Sequence, residues 1–180
     1  MTWRKVAAIW VVFAALGVLV LVSDHVVPGP TEEQPTNPVG PSLLEADAGS
    51  VTTITFRQDE KIVRIARRDG TWQTLEPPGV RISPDLVEAT VATLTTGQAA
   101  ERLTSESGHD LDVYGLDRPT AILEIAVGPP PGLPVIVALG ARNPTQTAIY
   151  ARRGDRPTIY LVGMNLRYYV DLIFEAASGA

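Results

Sequence analysis

Residues 106–112 concentrate carboxylates around one histidine, His109, and Ser105 and Ser107 lie beside it. Carboxylates and histidine are ligands for a divalent cation, and serine, histidine and aspartate are the groups of a hydrolase triad. A metal site needs three or four converging ligands, and this stretch has no helical or strand spacing to direct them. The sequence also lacks a Gly-x-Ser-x-Gly elbow. We therefore interpret residues 106–112 as a solvated loop, and we predict no catalytic residue and no metal site.

Motifs for cofactors are absent from the sequence. It contains neither a Gly-x-x-x-x-Gly-Lys loop nor a Gly-x-Gly-x-x-Gly fingerprint for a nucleotide. It contains no cysteine, which excludes disulfides, thiolate metal sites and covalent haem attachment. We predict that the protein is not an enzyme and that it uses no cofactor. The remaining alternative is an enzyme that uses the loop around His109.

Arginines cluster at two predicted hairpin ends. Beyond Lys5 the chain has twelve arginines and one lysine, Lys61. Arginine is favoured at protein interfaces because its planar fork pairs with carboxylates and stacks on aromatic rings. The alternative is that these hairpin ends are solvated and contact nothing. The candidate partner-contact residues are Arg67, Arg68, Arg152, Arg153 and Arg156.

Strand patterns position the first arginine pair. Residues 51–57 alternate β-branched or aromatic side chains with polar ones, and residues 61–66 continue as a second strand. Asp69-Gly70 predicts a hairpin turn into a third strand at residues 71–75. Trp72 is expected to pack on the face of this sheet.

A helix pattern follows the three strands. Ser83-Pro84-Asp85 predicts the helix start, with serine as the cap, proline at the first position and an acid in the first turn. Gly97 predicts the helix end. The apolar face of this helix is expected to comprise Leu86, Val87, Thr90, Val91 and Leu94.

The second half repeats this arrangement and positions the second arginine group. Strand patterns cover residues 120–127, 135–139, 147–152 and 158–162. Gly154-Asp155 joins the last two strands, and a closing helix is predicted over residues 165–176. Its apolar face is expected to comprise Leu166, Tyr169, Val170, Ile173 and Phe174. We predict an α+β domain of mainly antiparallel sheet with two helices on one face, built from a ββ(β)α unit that is used twice.

The junction between the halves carries a family resemblance. It reads Tyr114-Gly-Leu-Asp-Arg-Pro119, and the second half contains Ile-Tyr-Ala-Arg followed by Ile-Tyr-Leu-Val and a helix. Over residues 43–175 this pattern resembles the bacterial family called domain of unknown function 4340. The resemblance implies a membrane-anchored protein, often encoded beside gliding-type ABC transporter components. The family has no catalytic residues to carry over.

A membrane anchor is predicted near the N-terminus. Residues 6–22 are seventeen positions without charge or proline, and the apolar character extends to residue 27. A spanning helix needs roughly 20 mainly apolar residues. Arg4 and Lys5 predict a cytoplasmic N-terminus, and Trp3 and Trp10 are expected to anchor at the interface. The alternative is a cleaved signal, but its core would be roughly 7–15 residues with a small-residue cut site.

The predicted organisation is therefore a short cytoplasmic N-terminus, an uncleaved anchor, a proline-rich linker and one periplasmic domain. The corresponding ranges are 1–5, 6–27, 28–42 and 43–180. Five prolines between Pro28 and Pro41 favour extended conformations of about 3.1 Å per residue, so the linker reaches on the order of 40 Å. A sizeable external domain without cysteine suits the periplasm of a bacterium, whose inner membrane would hold the anchor.

The charge of the external part excludes some partners. Beyond Lys5 there are thirteen basic and twenty acidic side chains, a formal charge of −7. A nucleic-acid-binding domain would carry a basic stripe, so no nucleic acid partner is expected. The sequence favours a non-catalytic accessory or scaffolding subunit that docks on a larger integral-membrane complex. That complex would be bioenergetic (photosynthetic or respiratory) or an ABC transporter. The alternative is a periplasmic module that binds a ligand or peptide and presents it to a transporter.

Overall fold

The structure is a computed structural model that describes Trp3 and residues 42–96, 101–103, 111–129 and 133–179. The chain divides into two units, Met1–Pro38 and Val39–Ala180. Within the described residues, the second unit contains eight strands and two helices. In chain order they are β1 (Val51–Gln58), β2 (Lys61–Arg68), β3 (Thr71–Glu76), α1 (Pro84–Thr95), β4 (Glu101–Leu103), β5 (Ala121–Val127), β6 (Val135–Arg142), β7 (Ala148–Arg153), β8 (Ile159–Gly163) and α2 (Met164–Ser178).

The eight strands form one sheet in the order β3-β2-β1-β5-β6-β7-β8-β4. Every neighbouring pair in that order is antiparallel. The prediction of an α+β domain with two helices and a mainly antiparallel sheet is therefore confirmed. No helix among the described residues is long and apolar enough to span a membrane. The predicted anchor, residues 6–27, lies outside the described residues.

Local turn chemistry sets the first half of the sheet. Asp69 and Gly70 have φ angles of 51° and 77°, which are the paired positive values of a type I′ hairpin turn. Trp72 on the following strand is buried, as predicted. Helix α1 begins at Pro84 as predicted, but the Ser83 hydroxyl makes no capping hydrogen bond. Instead, the Ser83 carbonyl accepts the N–H groups of the first turn. The predicted stop at Gly97 lies outside the described residues.

The second half adds one more strand before its helix. Strands β7 and β8 pair as predicted across the turn that contains Gly154 and Asp155, and Ala151 lies opposite Tyr160. Helix α2 starts one residue before the predicted range and ends two residues after it. Four of its five predicted apolar positions are buried, and Tyr169 is half-buried.

Both helices pack on one face of the sheet. The inward side chains of neighbouring strands lie opposite each other, as in the row Val63, Phe56, Leu123 and Val137. Each of these four is at most 1% exposed and belongs to one core with the buried residues of α1 and α2. Full burial of such a side chain contributes about 1.5–3 kcal/mol. The core therefore fixes which face of each strand points away from the helices.

The junction segment packs against the opposite face of the sheet. The Ala141 N–H on β6 donates to the Tyr114 carbonyl over 2.8 Å. The Tyr114 ring meets the Tyr150 ring edge-on, with centroids 4.8 Å apart, and Leu116 is buried. The junction segment therefore covers the end of β6 and the first half of β7.

We predict that a methyl group cannot be accommodated at the two glycines where the junction segment and β6 come closest to each other. Gly115 has a φ angle of +64°, and a Cβ there would lie 2.8 Å from the Ala141 backbone nitrogen. A Cβ at Gly140 would collide with the Tyr114 carbonyl oxygen. Gly115→Ala and Gly140→Ala should each lower the free energy of unfolding by about 1–3 kcal/mol. The measurement is denaturant unfolding of the full chain.

The matched control is Gly49→Ala. A Cβ at Gly49 would have no other atom within 4 Å, so the expected change is within about 0.5 kcal/mol. Equal losses for all three variants would contradict the close packing of the junction.

Candidate interaction surface

The two predicted arginine groups lie at the ends of two strands of the same sheet. Strands β2 and β7 run in the same direction, because an even number of antiparallel steps separates them in the sheet. Both strands end in an arginine pair, Arg67-Arg68 and Arg152-Arg153. The strand registers place Arg152 in one row with Ile62, at the other end of β2 from Arg68. The two arginine pairs therefore lie apart on the sheet.

Arg67 holds helix α1 against the sheet. Its guanidinium lies 4.7 Å from the centre of the Trp72 ring, and one of its Nη atoms donates to the Glu88 carboxylate over 2.9 Å. The Trp72 indole N–H donates to the same carboxylate oxygen over 2.7 Å. The Arg67 Nε is buried without a hydrogen-bond partner. Glu88 thus links the helix to two neighbouring strands.

Arg153 and Arg156 hold the segment that enters the domain. Arg153 is 7% exposed, and it binds both carboxylate oxygens of Asp155 at 2.9 and 2.7 Å. Its Nη1 donates to the Leu43 carbonyl over 3.4 Å. Arg156 binds both oxygens of Glu45, each at 2.7 Å. We call these contacts the entry latch, because they fasten residues 43–45 to the β7–β8 turn.

Apolar burial reinforces the entry latch. The side chains of Leu43 and Leu44 belong to the hydrophobic core, and the Leu44 N–H donates to the Leu94 carbonyl at the end of α1 over 2.8 Å. The segment that precedes β1 is therefore an integral part of the domain. Its position is fixed by the core and by two charged arginine contacts.

Charge contacts in the entry latch shift two ionisation equilibria. The Arg153 hydrogen bonds lower the pKa of Asp155 below the ordinary value for aspartate, because they favour the ionised carboxylate. The Glu45 carboxylate raises the pKa of Arg156. Both shifts favour the charged forms that make the contacts.

The other two arginines, Arg68 and Arg152, lie on the sheet face that the helices leave uncovered. Successive side chains on a strand alternate between faces, and both occupy positions opposite to the core. We call this surface the open face. It comprises Thr53, Thr55, Arg57, Ile62, Arg64, Ala66, Arg68, Thr71, Gln73, Glu76, Ile122, Glu124, Ala126, Ile136, Ala138, Tyr150 and Arg152.

Charged and apolar side chains are interspersed in rows across the open face. One row runs from β2 to β7 in the order Ile62, Arg57, Ile122, Ala138 and Arg152. Strands lie about 4.8 Å apart, so this row extends over about 19 Å.

The next row crosses four strands in the order Arg64, Thr55, Glu124 and Ile136. Ile136 is 46% exposed, and Ile62 in the first row is 40% exposed. Two large apolar side chains therefore reach solvent between the charges.

Two ion pairs organise the charges of the open face. The Arg57 Nε donates to Glu124 over 2.7 Å, and both side chains remain partly exposed. Arg64 lies 3.9 Å from Glu76, which is longer than a hydrogen bond. Pairs of this exposure contribute little to stability, at most about 1 kcal/mol each.

The distribution of charge differs between the two sides of the sheet. The open face has four arginines and two carboxylates, Glu124 and Glu76. The helices on the other side carry four carboxylates and one arginine, namely Asp85, Glu88, Asp171, Glu175 and Arg167. The open face is thus basic within a domain that is acidic as a whole.

A half-open groove lies between the first residues of β2 and the end of α2. Its cavity volume is about 220 Å³, and it is lined by Lys61, Ile62, Val63, Pro77, Phe174, Ala177 and Ser178. The Lys61 ammonium donates to the Ser178 hydroxyl over 3.0 Å at the end of α2. The lining is mainly apolar with one cation at its edge.

Several predicted residues fall outside the described part of the chain. Trp3 is described and is 88% exposed, whereas Arg4, Lys5 and Trp10 are not described. His109 and the neighbouring carboxylates up to residue 110 also lie outside it. Among the described residues, no three His, Asp or Glu side chains are grouped as a metal site requires.

Sequence reasoning missed two arginines of the open face, Arg57 and Arg64. The signal was available in the strand patterns. In β2 the apolar positions Val63 and Ile65 are inward, so period-two alternation places Arg64 and Arg68 together on the outward face. Arg57 and Arg64 are single arginines that alternate with apolar residues along a strand, so they do not stand out as adjacent pairs do.

A family model described as "Domain of unknown function (DUF4340)" matches residues 72–176. The match runs from β3 through the junction segment to the last helix. It confirms the family resemblance seen in the junction and the β7–β8 hairpin. No curated protein and no solved structure matches the chain.

We predict that Asp155→Asn weakens the domain less at low pH than at neutral pH. Because the folded-state pKa of Asp155 lies below its unfolded value of about 3.9, its stabilisation is present above that pH and is lost as the pH falls further. The difference in unfolding free energy between wild type and Asp155→Asn should therefore shrink from pH 7 to about pH 3.

A double-mutant cycle provides the control. In an Arg153→Gln background the guanidinium is gone, so Asp155→Asn should have a smaller pH-dependent effect than in the wild type. A wild-type-to-variant difference that stays constant from neutral to acid pH would contradict the role of this contact.

Proposed function

We propose that this chain, which belongs to the DUF4340 family, is a non-catalytic, single-span accessory subunit of a larger integral-membrane complex. Its external domain would dock on or brace the complex, which is a bioenergetic assembly or an ABC transporter. The observation that carries the proposal is the one-sided packing of the sheet. Two helices cover one face, and the other face presents arginines with exposed isoleucines between them.

The anchor is part of the proposal. Residues 6–27 would span the inner membrane of a bacterium with residues 1–5 in the cytoplasm, because the apolar run is preceded by Arg4 and Lys5. Residues 28–42 would then act as a proline-rich spacer to the periplasmic domain. The entry latch supports this arrangement, since it fixes the chain to the domain directly after the spacer.

Duplication of a ββ(β)α unit is also proposed. The halves β1-β2-β3-α1 and β5-β6-β7-β8-α2 meet at the antiparallel pair β1 and β5. Strands β2 and β6 then lie outside this pair in equivalent places, followed by β3 and β7. The second unit differs by having β8 before its helix.

We predict that the tagged full-length protein, extracted from its native membrane in mild detergent, co-purifies with a stoichiometric set of integral-membrane proteins. The reason is that a docking subunit stays bound to its host complex when the membrane is extracted gently. Mass spectrometry of the eluate identifies the set. A protein that elutes alone and monomeric would contradict the accessory role.

The matched control replaces residues 6–27 by an unrelated polyleucine span. This chain keeps its membrane location and its external domain. Retention of the complex would assign docking to the external domain, whereas loss of the complex would assign it to the native helix.

Ligand binding is the second candidate function, and the groove at Lys61 favours it. Apolar walls with one ammonium group at the edge suit a small apolar monocarboxylate. Presentation of such a ligand to a transporter would also require membrane anchoring. The groove has one aromatic wall, Phe174, so a ligand of aliphatic character fits its lining better than a stack of rings.

If the groove binds such ligands, octanoate at up to about 10 mM should raise the thermal unfolding midpoint of the full chain. Ala177→Phe should fill the groove and abolish the shift, whereas Tyr168→Ala on the exposed side of α2 should leave it unchanged. An unchanged midpoint with octanoate would remove this candidate.

A further inference from the structure

We infer that the open face is the surface that docks on the host, and that its partner is an acidic external segment of a membrane protein with apolar side chains among its carboxylates. The inference rests on the proposed accessory function and specifies its surface. It follows from the geometry of the rows on the open face and from the asymmetry of charge between the two sides of the sheet.

The open face combines features that binding surfaces share. Ile62 and Ile136 are 40% and 46% exposed on neighbouring rows, and half-buried Ile122 lies between the strands that carry them. Arginine is enriched at interfaces because it covers apolar surface with its stem and pairs with carboxylates through its fork. The solvent-facing side of an antiparallel sheet normally carries polar side chains, so large exposed isoleucines on this face are unusual.

Charge selects the chemistry of the partner. Four arginines and two carboxylates give the open face a positive balance in an external part of formal charge −7. The Arg64 side chain is 45% exposed and is too far from Glu76 for a hydrogen bond. A carboxylate brought to this position by a partner would gain a charge-assisted hydrogen bond.

A protein partner fits this face better than a lipid surface does. Adhesion to anionic lipid needs a cluster of unpaired basic residues and favourable overall charge. Arg57 is already paired with Glu124, and the net negative charge of the external part would oppose approach to the bilayer surface. Apolar side chains between arginines instead fit a protein surface on which apolar side chains and carboxylates lie in matching positions.

A second copy of the chain is also disfavoured. Two open faces related by a two-fold axis would bring arginine rows against each other, which costs energy. An open face docked on the acidic helices of another copy would be a head-to-tail contact, which gives a ring or a filament rather than a two-fold dimer. We therefore assign the acidic segment to a different protein.

Site-specific photo-crosslinking in native membranes tests the inference with the full-length chain. Benzoylphenylalanine replaces Ile62 or Ile136 on the open face, and Tyr168 on α2 serves as the matched position, since its side chain is 60% exposed on the helical side. We expect both open-face positions to give adducts on one acidic external segment of a membrane protein. Adducts from position 168 should be about tenfold weaker.

Substitutions then test the chemistry of the contact. Arg64→Glu and Ile136→Asp should each reduce co-purification of the host about tenfold. The controls are Arg81→Glu, which makes the same change of charge at an exposed loop position, and Tyr168→Asp, which makes the same kind of change on α2. All four variants must retain the thermal midpoint of the wild type, because the altered side chains are exposed.

The outcomes separate this inference from the proposed function. A host that co-purifies with wild type and is unaffected by Arg64→Glu and Ile136→Asp overturns the docking surface and leaves the accessory role standing. A wild-type chain without any host overturns both. Adducts of twice the chain mass would show a second copy on the open face, and adducts with lipid alone would show a membrane surface. Either of these results overturns the acidic protein partner.

Discussion

The antiparallel pairing of β1 with β5 is the constraint on which the rest of the domain depends. These strands are the inner edges of the two halves, and their inward residues Ile54 and Phe56 lie opposite Ile125 and Leu123. Without this pairing, β1 to β3 and β5 to β8 would be two small sheets, each with an exposed inner edge. With it, one continuous sheet presents a single apolar face that α1 and α2 cover together.

Continuity of the sheet also creates the surface that faces away from the helices. The same registers that bury Phe56 and Leu123 align Arg57 with Ile62 and Ile122 on the other side. The core and the open face are therefore two sides of one hydrogen-bonded ladder. A change of register by one residue would exchange them, because side chains alternate with a period of two.

Sequence analysis predicted the elements of this domain well where local chemistry decides them. Asp69-Gly70 predicted the first hairpin, and Ser83-Pro84 predicted the start of α1, because both depend on backbone preferences of a few residues. The order of strands was beyond its reach, since the β1–β5 pair joins residues about 70 positions apart. Three-residue strand β4 at the far edge carried no recognisable pattern.

The candidate surface was predicted only in part for the same reason. Hairpin arginines were recognised from sequence, but the roles of Arg153 and Arg156 depend on partners 110 and 111 residues away. Arg67 likewise meets Glu88 and Trp72 through the packing of α1 on the sheet. In each arginine pair, long-range packing therefore gives the two residues different roles. Arg67 and Arg153 make contacts within the domain, and Arg68 and Arg152 lie on the open face.

The entry latch has a mechanical consequence. A pulling force that arrives through the residues before Leu43 first meets the charged contacts of Arg153 and Arg156 and the buried leucines. Behind them, β1 lies between β2 and β5, so extraction of this strand would have to shear two ladders at once. The entry latch would therefore bear a pulling force before it reaches the hydrogen bonds of the sheet.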